Sequence, residues 1–146
     1  MQLHREWMML DLKKLQNDRK AMKNLQEELT SLESEFNTLK ATDYDKVPGN
    51  SGGNSQLEKM ELNLAKREEL IVCLKATKEH VEHMENLLGQ LDKCDRDLIE
   101  ETIIKHSKTM EVMAEHLGID PRQAYNRRRD AINNLLHLRF GRGYRP

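Results

Sequence analysis

Aromatic side chains are scarce in this chain: two phenylalanines, three tyrosines and one tryptophan, 4% of 146 residues. Helix breakers are scarce too, with three prolines and seven glycines. Charged residues, by contrast, make up 34%. That is much charge for a compact globule, and it fits long exposed helices in one domain or two small ones. There is no run of about 18 apolar residues, which excludes a membrane-spanning helix. The opening "MQLHREWMMLDLKKLQ" carries charges throughout and lacks the apolar core of a signal peptide. The two cysteines, Cys73 and Cys94, have no metal or redox spacing. They read as reduced thiols, and a cytoplasmic protein is expected.

The near-zero net charge of −1 hides an asymmetry. Residues 121–146 hold seven arginines against one acid, Asp130, a net of +6, so residues 1–120 carry −7. A basic end of this kind suits a polyanion, with an acidic body held away from it. The plainer reading is an unstructured basic tail. Apolar residues continuing through Leu138 and Phe140 argue against it.

The spacing predicts three segments. From about Gln2 to Lys40, Met22, Leu25, Leu29, Leu32, Phe36 and Leu39 alternate steps of three and four, a heptad seam on one helix. Extended backwards, one seam position gives Leu15 and Met8 and the other Asp18 and Asp11, so the seam is expected to fray there. Trp7, Leu10 and Leu12 restore burial in another frame. Residues 41–56, "ATDYDKVPGNSGGNSQ", read as a flexible loop, with Tyr44 in a local turn between Asp43 and Asp45. The "GNSGGN" within it has neither the preceding strand nor the Lys-Ser/Thr ending of a phosphate-binding loop. A second helix follows from Gln56 to Leu91. Leu57, Met60, Leu64, Ile71 and Leu74 share one heptad frame, and Val81, Met84, Leu88 and Leu91 another, with a slip near Thr77. Neither helix is apolar all round, so each must bury its stripe against a partner. An antiparallel hairpin, residues 1–91, dimerising through its seams, is the expected arrangement.

From "LDKCDRD" onward the pattern shortens into a compact unit, residues 92–138, in which Asp92 or Asp95 can cap a first helix. That helix supplies Leu98, Ile99, Thr102 and Ile103 as one face. Thr109 is a plausible N-cap for a short helix, small Ala114 allows a close crossing, and Gly118 can take the left-handed conformation that ends it. Leu117 and Ile119 flank the turn. Asp120 then caps a last helix with Pro121 in its first turn. This is the grammar of a tight helix-turn-helix; the plainer alternative is an ordinary helical hairpin. The fold expected is all-α, a long hairpin plus a three-helix helix-turn-helix unit.

At about 100° per residue, Ala124, Ala131, Leu135 and Leu138 share one face of the last helix, with Ile132 at its edge. Arg122, Asn126, Arg129 and Asn133 lie opposite. Arginine donates twice to guanine and asparagine bridges adenine, so such a face suits base edges. Gln123 and Tyr125 flank it, suited to phosphate or thymine-methyl contact. Arg127 and Arg128 fall near the buried stripe. They are expected to pack their stems, Arg128 beside an acid such as Glu115, or to reach phosphates. Arg139, Arg142 and Arg145, in the tail 139–146, look like a mobile arm for phosphates.

These stretches carry a family resemblance. "DYDKVPGNSGGN" between two helices and "MAEHLGIDPRQAYNRRRDAI" resemble the RinA/ArpU-like regulators of phage late genes, which end in a helix-turn-helix related to region 4 of sigma-70 factors. The resemblance covers roughly Lys40 to Leu138. It implies transcriptional control of phage or prophage genes in a bacterial host through double-stranded promoter DNA. The recognition helix would be Pro121 to Leu138, with Arg122, Tyr125, Asn126 and Arg129 facing DNA. RNA polymerase is left open as a partner. Ala124 and Arg127 depart from the family pattern, which has larger apolar or aromatic residues there.

Two other readings compete: a coiled-coil adaptor whose basic end docks on an acidic protein, and a phage DNA-packaging recognition subunit of the small-terminase kind. An enzyme is not expected, because no nucleophile, base and orienting group assemble from spacing. Neither a cofactor nor a small-molecule substrate is implied. His80 and His83, beside Glu79 and Glu82, lack a third zinc ligand and read as a solvated helical face. His106 and His116 are expected to meet helix-terminal carbonyls.

Overall fold

The computed structural model describes residues 3–44 and 52–143. Among these all regular secondary structure is helical: α1 (Leu3–Tyr44), α2 (Gly52–Gly89), α3 (Lys93–Ile99), α4 (Met110–Leu117) and α5 (Pro121–Phe140). A π-helical turn, Glu100–Ile104, continues α3, and a 3₁₀ turn, Gly141–Gly143, follows α5. No helix of the described residues is long and apolar enough to cross a membrane.

The loop expected over 41–56 is shorter than its composition suggested. Residues 41–44 close α1 and residues 52–56 open α2, despite two glycines and an asparagine. One cause is a tie between the helices: buried Gln56 donates its side-chain amide to the Leu39 carbonyl. Such a tertiary bond overrides weak local propensity. What remains of the loop, with the first half of "GNSGGN", lies outside the described residues.

Contacts divide the chain at Arg19 and Glu79, not at Leu91 as expected. The first unit joins residues 1–19 to 80–146, and the second is residues 20–79. The slip in heptad frame near Thr77 falls close to this division.

The second unit is an antiparallel hairpin. Leu39 pairs with Gln56, and Asn63 donates Nδ2 to the Leu32 carbonyl at 2.9 Å. Arg67 stacks over the Phe36 ring at 5.7 Å. Leu32 is its one buried hydrophobic side chain among the described residues, and the buried positions on α2 are polar Gln56 and Asn63. The seam of α2 is thus rotated from the heptad reading. Met60 and Leu74 are half-buried, whereas Leu57, Leu64 and Ile71 remain 55%, 44% and 53% exposed.

In the first unit the expected fraying of α1 does not occur. Met8, Leu12 and Leu15 are completely buried, while Trp7 and Leu10 stay about half exposed. The seam acids that suggested fraying have partners. Arg139 Nη2 lies 2.8 Å from Asp11, and His80 Nε2 lies 3.8 Å from Asp11 and 3.9 Å from Asp18. His80 is therefore not part of a solvated face, although His83 is. No cluster of metal-ligating residues forms among the described residues. Arg19 bridges Glu85 at 2.6 Å and Glu100 at 2.7 Å, binding α1 to α2 and to the π turn. Burial opposes its charge, but the two carboxylates outweigh that and raise its pKa further.

Candidate nucleic-acid interface

The helix-turn-helix is built from local signals that the structure realises in turn. Asp92, not Asp95, occupies the N-cap of α3. Leu98, Ile99, Thr102 and Ile103 are buried as expected, and Ile104 joins them. In the π turn the Lys105 amide donates to the Glu100 carbonyl at 2.8 Å, five residues back. Ser107 Oγ donates to the Glu101 carboxylate at 2.5 Å, and this bond holds its pKa below the usual carboxylate value. A depressed carboxylate stabilises the fold at neutral pH, and the contribution is lost as pH falls through the lowered pKa.

Thr109 caps α4, its hydroxyl accepting from the Val112 amide at 3.3 Å. Gly118 ends the helix at φ 68° and ψ 31°. The Ile119 amide reaches the Ala114 carbonyl at 3.0 Å and the Gly118 amide the Glu115 carbonyl at 3.1 Å, a full Schellman turn. A β-carbon at Gly118 would meet no neighbour, so the glycine serves backbone conformation alone. Asp120 is extended at φ −67° and ψ 142°, Pro121 opens α5, and Gln123 Oε1 accepts from the Asp120 amide at 3.2 Å. Leu98, Met110, Met113, Ala114 and Ala124 form the core of this unit, with Leu117 and Ile119 packed against it. Ala124 is wholly buried, its small side chain fitting where α4 and α5 meet.

Along α5 the buried side chains are Ala124, Ala131, Ile132, Leu135 and Leu136. Leu136 replaces the expected Leu138, which is 37% exposed. The reason is the first turns of α1. Arg5 donates to Asn133 at 3.3 Å and Arg139 approaches the Met8 sulfur at 3.9 Å, so α1 lies along the later half of α5. Two neighbours widen the buried arc there. Asn133, expected on the open face, is engaged by Arg5.

The arginines now separate by what they touch. Arg122, Asn126 and Arg129 are exposed on the first turns of α5, with Tyr125 beside them at 47% exposure. Among the described residues Arg129 pairs with Asp130, at 3.4 Å on the exposed surface, a weak hold. Gln123 is exposed but spends one acceptor on the Asp120 cap.

Arg127 is a packing residue. Its Nε donates to Asp95 at 2.6 Å, and that bond raises its pKa. Arg128 does not reach Glu115. Its Nη1 donates to Thr102 Oγ1 at 3.2 Å and the guanidinium lies 5.5 Å from the Tyr125 ring centre. Thr102 in turn donates to the Leu98 carbonyl at 2.6 Å, so the two arginines fasten α5 to α3 and to the π turn.

Arg139 is not part of a mobile arm. It is paired with Asp11, with the two side chains only 9% and 14% exposed, and lies over the rings of Trp7 and Phe140 at 4.9 and 5.0 Å. Arg142 is exposed in the 3₁₀ turn, and Arg145 lies outside the described residues. Sequence reading missed Arg5, which adds a cation beside the open face; nothing local signals it, because its partner is 128 residues away. Of the histidines near helix ends, His106 meets the Thr102 carbonyl at 3.1 Å, and His116 is exposed.

No family model, curated protein or solved structure matches the chain.

Proposed function

We propose that the chain is a sequence-specific DNA-binding regulator, with the first turns of α5 in the major groove. The observation that carries this reading is the sorting of the arginines. Arg122 and Arg129, with Asn126, are left open on one face directly after a tight turn, while Arg127 and Arg139 are paired with carboxylates and Arg128 is turned towards Thr102. A helix that presents its N-terminal turns with arginine and asparagine outward fits the donor and acceptor pattern of base edges. The net +6 of residues 121–146 supplies attraction to phosphates. The resemblance to RinA/ArpU-like regulators points to promoter DNA of phage or prophage genes, in the bacterial cytoplasm.

The test is fluorescence anisotropy with a labelled duplex carrying a phage late promoter. Binding should weaken steeply with salt, and Arg122→Ala and Arg129→Ala should each lower affinity about tenfold or more. Both residues are exposed, so the variants should melt like the parent. Absence of salt-sensitive binding, or full affinity in the double variant, would refute the reading.

The same reading includes a homodimer, supported by the outward stripe of α2. Leu57, Leu64 and Ile71 recur every seven residues, all exposed, whereas α1 exposes no large hydrophobic side chain between Lys20 and Ala41. A one-sided apolar stripe at heptad spacing suits the same stripe of a second copy. Light scattering on Leu64→Glu with Ile71→Glu should give half the parent's mass. A parent that is already monomeric would remove the dimer, and a ring of many subunits would favour the DNA-packaging reading.

A further inference from the structure

Lys13, His106 and Arg128 come from three separate elements, α1, the segment after the π turn, and α5, yet they line one depression. Met9, Ile103 and Ile104 contribute its apolar wall and Thr102 completes it. Its volume, about 510 Å³, falls in the range of small-ligand sites.

No carboxylate lines it, although the chain has 25 acids. Three other grooves in the structure are lined by acids: Asp95 and Asp130, Glu85 and Glu100, and Glu27. Elsewhere in this unit arginines meet carboxylates: Arg19 with Glu85 and Glu100, Arg127 with Asp95, Arg139 with Asp11. Around this depression the cations do not. Arg128 is oriented by a neutral hydroxyl, Thr102 Oγ1, and by the Tyr125 ring. Lys13 is exposed and makes no ion pair among the described residues.

The backbone beside it is irregular in two ways. The π turn inserts an extra residue into the helix, and His106 follows at φ 51°, a left-handed value that a histidine adopts at a cost. Together they bring the imidazole back to the rim, where Nδ1 donates to the Thr102 carbonyl at 3.1 Å and leaves Nε2 on the opposite edge of the ring. Such irregularities concentrate at functional sites.

We propose that this depression holds the phosphate group of an organic phosphate. Arg128 offers its planar fork, Lys13 a mobile point charge, and the apolar wall the seat for the organic part. A phosphate has two sources here, a free organic phosphate or a phosphodiester of bound DNA. The first is independent of the DNA-binding reading above and the second rests on it.

The experiment uses the full chain and phenyl phosphate as the probe, followed by backbone amide NMR, with inorganic phosphate and phenol as comparisons. Saturable shifts at Lys13, His106 and Arg128, stronger than with either comparison, are expected. Lys13→Gln should weaken the binding at least tenfold. His106→Gly, which relieves the left-handed backbone and therefore keeps the fold, should weaken it too. A parallel titration with duplex DNA separates the sources. A phosphodiester seated here makes the salt slope shallower by about 0.9 in Lys13→Gln, whereas a free organic phosphate leaves the slope unchanged. Arg122→Ala distinguishes this site from the recognition face, because phenyl phosphate binding should survive it. Identical phenyl phosphate binding in the parent and Lys13→Gln, or none in either, together with identical DNA salt slopes, would overturn the proposal.

Discussion

Asp11→Ala is expected to destabilise the first unit by about 3 kcal/mol, because it strands a guanidinium that the fold has taken out of water. Arg139 is 9% exposed, and Asp11, 14% exposed, is its ion-pair partner at 2.8 Å. The faces of Trp7 and Phe140 offset part of the loss, since a cation over a ring keeps some attraction. His80 retains Asp18 at 3.9 Å, so the damage should centre on α5 and the first turns of α1. For a chain of this size the melting midpoint should fall by roughly 10 °C. The paired change Asp11→Leu with Arg139→Met should recover most of it, because replacing both buried charges removes the desolvation cost with the attraction. A thermal melt of the three proteins decides the matter. A single variant within about 1 °C of the parent would mean that Arg139 is solvated after all.

Leu136→Ala should cost a further large amount, about 2–5 kcal/mol, whereas Leu138→Ala should stay within about 0.5 kcal/mol. The side chains are two residues apart and chemically identical, but Leu136 is completely buried and Leu138 is 37% exposed. Deleting buried methyl groups loses transfer energy and leaves a cavity; the exposed leucine has little of either to lose. In urea the Leu136 variant should shift its midpoint without a change in slope. The comparison also tests how α5 is turned about its axis. If Leu138→Ala were the costly one, α1 would not cover the side of α5 that carries Leu136.

That rotation marks where sequence reasoning stopped being sufficient. Thr109, Gly118, Asp120 and Pro121 were legible because caps and turns depend on neighbours a few residues away, and each does what its chemistry suggests. The early buried face of α5, Ala124 and Ala131, followed from helical spacing for the same reason. Leu136 was not legible, because its burial depends on a second neighbour, α1, arriving from the other end of the chain. Arg139 and Asp11 illustrate the same limit: read singly, one looked like a tail cation and the other a break in a seam, and only their meeting explains both. In α2 the heptad of Leu57, Leu64 and Ile71 is legible as an apolar stripe, but that it turns away from α1 is not. Periodicity identifies an apolar face without saying what it packs against. The hydrogen bonds of Gln56 and Asn63 to backbone carbonyls of α1 turned that stripe outward. The depression of Lys13, His106 and Arg128 had no linear signature, since its cations are spread over more than a hundred residues of chain.

The joining of residues 1–19 to residues 80–146 has a consequence for how the protein is made. Met8, Leu12 and Leu15 leave the ribosome well before Arg139, which lies 131 residues after Met8, approaches it and pairs with Asp11. At about 5–20 residues per second the nascent first helix waits several seconds or more for that neighbour. During that interval its apolar side chains are uncovered and open to chaperones or to another nascent chain. Contacts so distant in sequence also slow the search for the final arrangement. The hairpin of residues 20–79, by contrast, is complete while residues 80–146 are still being synthesised, so assembly of α5 with α1 is the later event in biogenesis.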